Sequence, residues 1–437
     1  MNHRKKIILI LGIVSYLLLA ITAGYYFKER TVFMDVAFRI FHIVKDGDFA
    51  IQAGRFGEAI TQWIPLVGSI FEFPIKWIAI SYSVGMVFYY FALFLVCFFW
   101  LKQEQFALLL LLFNVFLVSY TFWWIQIEFA QAIALSLVTF AWITKAKTLR
   151  YFFNWKGILL VVLLHTLFYF HPLIPIVLIY FLLFFKISSG FKIEKRLFCI
   201  VLIFVAIEYL FKIFVLGNSS YDATAMKGLD NFARLFPNYF DLPANHNFIS
   251  YCLTDYYLLP LALIVCSIFY IIHKKKYKLT LLLCFFFGYL LLINVSNYKG
   301  ILQFHIESFY LPLSLFVLCP LVFDLFPKIK STRLLVAILV VVLVLRIHHI
   351  ERLHQPYTAR VNWYENLIDK VNRSEYKKVV ISSDDVPLET LWLTWASSQE
   401  IWLLSSLKNS SQPSSIMISH KPNKFAWAQG KSDVFFT

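Results

Sequence analysis

Asp35, Arg39, His42 and Asp46 recur at i, i+4, i+7 and i+11. At 100° per residue these four side chains occupy an arc of roughly 60° on a helix, so two carboxylates, a guanidinium and an imidazole share one stripe. A carboxylate in such a stripe can take a proton as a general base, and cationic or imidazole donors can stabilise a departing phosphate. Phe33, Val36, Ala37, Ile40, Phe41 and Val44 recur at i, i+3, i+4, i+7, i+8 and i+11 on the other side, which makes the helix amphipathic. The plainer reading of Asp35 and Arg39 is an i, i+4 ion pair on a solvated face, worth about a few tenths of a kcal/mol.

Gly47-Asp48 breaks this helix and can cap a second one, in which Phe49, Ala53, Phe56, Ile60 and Trp63 repeat the apolar pattern and Pro65 ends it. Gln52, Arg55 and Gln62 lie off the apolar side. Two such helices beside a membrane are expected to lie in the interface plane. Asp35 then sits at the level of the lipid headgroups. Asp46 and Asp48 are second choices for the base, or ligands for a divalent metal, the one cofactor the pattern leaves open.

Further residues of the right chemistry lie far along the chain: Trp123, Trp124 and Glu128; His171 beside Pro172; Tyr298 and Lys299; His305 and Glu307. Arg39, His171, Lys299 and His305 suit a phosphate. Arg55, Trp123, Trp124, Glu128, Tyr298 and Glu307 suit the rest of a substrate, aromatic faces packing well on a sugar. Each has an ordinary reading as well: Trp at a membrane boundary is normally an interfacial anchor, and a His beside Pro normally ends a helix. Glu208 and Lys212, one turn apart, most simply neutralise each other.

What must position these residues is a membrane domain. Of 437 residues, 60% are hydrophobic and 15% charged, which excludes an ordinary water-soluble chain and predicts an all-α polytopic membrane protein. The six cysteines fall almost entirely inside apolar runs, without the close pairing of a zinc or redox site. The first run, 7–27, follows Arg4-Lys5-Lys6 and is long enough to be a retained anchor rather than a cleaved signal. Other runs lie near 75–101, 106–125, 128–144, 157–185, 197–216, 256–272, 279–294, 306–325 and 333–348. If 157–185 makes two short passes with an outward turn at His171-Pro172, eleven transmembrane helices result and the basic loops fall on the cytoplasmic side.

That topology makes 28–74 and 217–255 external loops and leaves only Glu104, Glu194 and Asp324 of the 25 acids facing the cytoplasm. The net charge of +15 is thus an orientation signal, and a nucleic-acid partner is excluded. Residues 1–348 form the membrane domain. Residues 349–437 read as a small external α/β C-terminal domain, with a helix near 357–374 and strands at 378–383 and 415–419. The Phe-, Ile- and Lys-rich composition points to a bacterial inner membrane, with this domain on the periplasmic side.

The order of these features resembles the GT-C class of integral-membrane glycosyltransferases, which use polyprenyl-phosphate or polyprenyl-diphosphate sugars. The likeness rests on Phe33-Met-Asp35-Val-Ala-Phe-Arg39 through Ile60-Thr-Gln-Trp-Ile-Pro65, where an acidic residue shortly after the first span opens an external loop of juxtamembrane helices. A second point is Gln303-Phe-His-Ile-Glu307-Ser-Phe-Tyr310-Leu-Pro312, similar to the motif that opens a late span in these enzymes. The Arg that commonly precedes that Tyr is replaced here, leaving Lys299 or His305 as substitutes, and the paired acids of the class are reduced to Asp35 followed by Val36. The resemblance spans residues 1 to about 325 and implies transfer of a sugar from a polyprenyl-linked donor to a glycan, lipid or protein acceptor on the external face, with Asp35 as general base.

Two other functions are compatible with the layout. An O-antigen or exopolysaccharide polymerase or ligase would concentrate Arg and His in a late external loop, whereas 217–255 balances Lys227, Arg234 and His246 against four Asp. A lipid or glycan transporter or flippase would commonly show two repeated halves, and none is found.

Overall fold

The computed structural model describes residues 3–188, 193–214, 227–373, 378–411 and 413–419. Lys192, Asp222 and residues 420–437 of the expected C-terminal domain lie outside them. The described chain is predominantly helical. Helix α1 (His3–Tyr25) is followed by the short α2 (Phe27–Thr31), by α3 (Met34–Asp46), by a 3-10 turn (Phe56–Glu58) and by α4 (Ala59–Ile70). Then come α5 (Ile75–Leu95), α6 (Glu104–Phe116), α7 (Glu128–Ala146), α8 (Trp155–Phe168), α9 (Ile174–Ile187) and α10 (Lys195–Phe214). After the short α11 (Asn231–Leu235) follow α12 (Pro243–Thr254), α13 (Leu258–Ile272), α14 (Lys276–Ser296), α15 (Gln303–Cys319), α16 (Thr332–Arg352) and α17 (His354–Asn372).

Among the described residues six helical stretches are long and apolar enough to cross a bilayer: His3–Tyr25, Ile75–Trp100, Glu128–Ala146, Lys276–Ser296, Gln303–Lys328 and Thr332–Asn372. The pair α12 and α13, bent by 89° at its break, would make a seventh. Helices α6, α8 and α9 are apolar but only 13 or 14 residues long, about 20 Å against a hydrocarbon core of about 30 Å. Length and composition together therefore support six or seven crossings among the described residues, and the expected eleven goes beyond them. The run 157–185 does divide into α8 and α9, turning at 169–173 with Pro175 in the first turn of α9.

The bundle has two chemically distinct ends. At one, Arg4 donates to the Phe326 carbonyl, Lys5 pairs with Glu104, and Lys278 pairs with Asp324. At the other, Tyr26 donates to Glu351 and Lys28 pairs with Glu365. The length of α1, 23 residues or about 34 Å, separates them. Helix α1 lies against α5 so closely that a Cβ at Gly12 would stand 2.2 Å from the Phe94 ring.

The second amphipathic helix departs from expectation. Residues 49–55 are not helical, and α4 runs past Pro65 to Ile70. Gly47 closes α3 at φ 65°, and Ala53 and Gly54 also have positive φ, backbone that a helix cannot continue. The Gln62 side chain accepts from the Ala50 N–H and donates to the Ala50 carbonyl, supplying hydrogen bonds that the irregular segment cannot make with itself. The apolar run continues beyond Pro65, so packing holds the helix although the proline lacks an N–H. Phe56, Ile60, Trp63, Val67 and Ile70 point outward along one side, as on a helix lying against acyl chains.

Helix α17 begins after a break at Leu353, and α16 runs past residue 348 to Arg352. Beyond it β1 (Lys378–Ser382) and β2 (Ser415–Ser419) pair in parallel, with α18 (Leu388–Leu391) and α19 (Ser397–Lys408) between them. Their core is shared with the membrane domain: Ile368, Ile401, Leu404 and Ile416 pack in one cluster with Val36, Ala37 and Ile40 of α3 and Tyr82 and Met86 of α5. Glu400 of α19 accepts from the Met34 N–H, the first of α3, while Arg360 and Tyr364 of α17 donate to the same carboxylate. The C-terminal elements thus clamp the start of the helix that carries Asp35.

Candidate functional site

Arg39 stands at the centre of a buried cluster. Its Nε donates to Glu58 Oε2 at 2.7 Å and its Nη2 to Glu128 Oε1 at 2.7 Å, while Nη1 lies 3.8 Å from Asp35 Oδ1. Arg55 Nη1 donates to the other oxygen of Glu128 at 3.2 Å. Gln62 Nε2 donates to Glu58 Oε2 at 3.0 Å, and Thr61 donates to Gln131 at 3.0 Å beside it. The apolar side of α3 faces α5 and α19, which turns the titratable stripe toward α4 and the start of α7. Arg39 is therefore not on a solvated face. It is buried, and the i, i+4 contact with Asp35 is the loosest of its three.

Asp35 is the acid of this group with access: its side chain is 24% exposed, against 0% for Glu58 and 10% for Glu128. Burial nonetheless raises its carboxyl above the ordinary aspartate value, with Arg39 pulling the other way and Glu128 pushing further up. The Trp124 indole N–H is near enough to favour the Asp35 carboxylate. Burial drives the Glu58 carboxyl up to about 8, against the pull of Arg39 and with repulsion from Glu128. The neighbouring carboxylates hold the Arg39 guanidinium firmly charged despite burial.

Two imidazoles complete the neighbourhood. His171, in the turn between α8 and α9, stacks on Phe129 at 4.3 Å, and its Nδ1 accepts from the Leu173 N–H. The ring proton is then on Nε2, which is left to donate. Burial first, then the charge of Arg55, lowers the His171 pKa, so the ring is neutral at physiological pH. His305 of α15 lies edge-on to Trp124 at 5.7 Å and against Phe309 at 5.3 Å, and Phe309 also touches His171 at 5.8 Å. The turn carrying His171 is held to the first loop by the Gly57 N–H, which donates to the Tyr169 carbonyl.

The residues singled out in the sequence divide accordingly. Asp35, Arg39, Arg55, Trp124, Glu128, His171 and His305 come together. Tyr298 and Lys299 do not join them: Lys299 is exposed over the Tyr298 ring, whose other neighbour is Arg234. Trp123 is fully buried and donates to the Ile350 carbonyl, so no sugar can pack on its ring. Glu307 is buried and saturated, accepting from the N–H groups of Ser119, Tyr120 and Thr121 and from the Thr121 and Tyr256 hydroxyls. It fixes the turn between α6 and α7 rather than meeting a substrate. Arg346 fixes the same turn from α16, donating to Val115, Val118 and Ser119.

Asp46 is exposed and paired with His42, and exposed Asp48 accepts from the Phe49 N–H. Among the described residues no group of three or more His, Cys, Asp or Glu side chains could hold a metal ion. Sequence reasoning missed Glu58, Tyr82 and Gln131. Gln131 and Tyr82, polar groups within apolar spans, carried a signal; Glu58, four residues before Gln62, carried only the i, i+4 spacing.

Among the described residues several buried polar atoms around this cluster have no hydrogen-bond partner: Arg39 Nη1, Glu58 Oε1, Trp124 Nε1, Gln126 Nε2 and Gln131 Nε2. Unpaired atoms gathered in one place suit a site that receives polar ligands or water. Comparison with protein-family models, curated proteins and solved structures finds no match to the chain.

Proposed function

We propose that the chain is a GT-C-like glycosyltransferase that moves a sugar from a polyprenyl-phosphate or polyprenyl-diphosphate donor to an acceptor hydroxyl at the non-cytoplasmic face. The observation that carries this reading is the convergence of Asp35, Arg39, Arg55, Glu128, His171 and His305, drawn from five separate stretches of chain, at the end of the bundle away from the basic loops. In the reaction the acceptor oxygen bonds to the anomeric carbon, the bond from that carbon to the donor phosphate breaks, and the hydroxyl proton passes to Asp35. Its accessibility makes Asp35 the base, and its raised pKa makes it a better one than a free aspartate. Arg55 and the Nε2–H of neutral His171 stabilise the departing phosphate. Arg39, held through Nε and Nη2 by Glu58 and Glu128, turns Nη1 toward Asp35 and positions it.

The same reading includes eleven passes, the short α6, α8 and α9 and the 20-residue α10 among them, and a bacterial inner membrane with the C-terminal elements on the periplasmic side. Asp35→Asn, purified in detergent with a radiolabelled polyprenyl-phosphate sugar, is expected to lose about a hundredfold or more of its transfer activity at unchanged protein level, whereas Asp46→Asn retains it. Full transfer by Asp35→Asn removes that residue from the mechanism. Because detergent solution has no second compartment, transfer there also separates an enzyme from a transporter.

A further inference from the structure

A second feature lies across Trp124 from the charged cluster. A narrow cavity, partly continuous with open space, is lined by Leu19 of α1, Met86 and Val87 of α5, Phe113 of α6, Ala130 of α7 and Leu311 of α15. Its wall is chiefly apolar, with Arg30 of α2 and Trp124 among the lining residues. Arg30 is 3% exposed. Its Nε donates to the Phe122 carbonyl at 3.0 Å and its Nη1 to the Ser83 carbonyl and hydroxyl at 2.6 and 2.9 Å. Its Nη2 makes no hydrogen bond, and the guanidinium no ion pair, among the described residues. The ring of Phe122 lies 4.2 Å beneath it.

Among the described residues Arg30 combines the lack of a carboxylate partner with an unbonded nitrogen, a combination absent at buried Arg39, Arg346 and Arg360. Arg39 and Arg360 have acidic partners, and Arg346 spreads its three nitrogens over four oxygens. Burial lowers the Arg30 pKa to about 9, the cost of a charge that the protein itself does not compensate. An anion at Nη2 would relieve that cost. The rest of the cavity accepts hydrocarbon and offers little to a small hydrated ion.

We propose that this cavity binds one phosphate-headed lipid, its hydrocarbon chain between α1, α5 and α6 and its phosphate on Arg30 Nη2. Arg30 follows α1 by five residues, at the end of the bundle that carries Asp35, so the headgroup lies at the interface while the chain runs down toward Tyr16 and Leu19. The site does not depend on sugar transfer. A lipid bound here would be held equally in a protein with another activity. If the transfer reading also holds, Trp124 is the wall shared by lipid and reaction chamber.

The test uses the full chain in nanodiscs of phosphatidylcholine and a labelled long-chain alkyl phosphate, with the corresponding alkyl alcohol and inorganic phosphate as competitors. Wild-type protein is expected to bind the alkyl phosphate saturably, with the alcohol at least about tenfold weaker, the scale of one charge-assisted hydrogen bond. Inorganic phosphate should not compete. Arg30→Gln should abolish the preference for phosphate over alcohol. Ala130→Phe, at a residue of α7 that lines the cavity and makes no hydrogen bond to Arg30, should weaken both amphiphiles and keeps the test decisive if Arg30→Gln fails to fold. Undiminished binding by Ala130→Phe, an unchanged phosphate preference in Arg30→Gln, or effective competition by inorganic phosphate would each overturn the proposal.

Discussion

Arg39 is the residue on which the charged cluster turns, because it is the cation shared by Glu58 and Glu128 at 2.7 Å each. Arg39→Met should destabilise the protein by about 3–5 kcal/mol, since buried Glu128 loses its nearest counter-charge and Glu58 a hydrogen-bond donor; thermal unfolding of the purified variant measures it. Glu58 gives a pH dependence of definite sign. Its carboxyl is raised in the folded state to about 8, so the folded protein binds more protons than the unfolded chain between the ordinary glutamate value and that pH. Stability from this group is fully present in acid and falls as pH rises through about 8. Glu58→Gln cannot release that proton, and its melting temperature should decline less between about pH 5 and pH 8.5 than that of the wild type.

At the level of elements, the site is made where the first loop presses on the turn between α8 and α9. Gly57 sits at that contact, and a Cβ there would lie 2.4 Å from the ring of Phe170, itself fully buried and adjacent to His171. Gly57→Ala should cost about 1–3 kcal/mol through overpacking and displace His171. Under the proposed reaction, transfer activity would then fall with Asp35 intact, and activity measured beside thermal stability should show both losses. Helix α3 depends on a different contact, the Glu400 carboxylate on the Met34 N–H. The helix was legible from its apolar periodicity, as were α17 and both strands. The extent of α4 was not, because the irregular stretch before it is stabilised by the Gln62 side chain, which no helical or strand period reports.

Across the whole molecule, charge and apolar length define a direction. The basic end around Arg4, Lys278 and Asp324 lies opposite the end that carries Asp35, and the proposed orientation puts the former in the cytoplasm, as the positive-inside rule expects. In a background without the native cysteines, a membrane-impermeant maleimide should label Asp46→Cys in intact cells and Lys276→Cys only after permeabilisation. The reverse pattern would put the site on the wrong side for a lipid-linked sugar donor at the external face.

The apolar helical character of the chain, helix α3 and the basic end around Arg4 and Lys278 were readable in the linear chain, because hydropathy, periodicity and loop charge act residue by residue along it. The partners of Arg39 were not, since Glu58 and Glu128 stand 19 and 89 positions away, and a helical arc says where a side chain points without saying what packs against it. The same holds for Trp123 and Glu307, whose types suited a substrate until packing enclosed one and saturated the other. Only the folded chain brings His171 and His305 to Asp35 and leaves Tyr298 and Lys299 elsewhere, because such proximity depends on how distant helices pack and not on the local energies that build each of them.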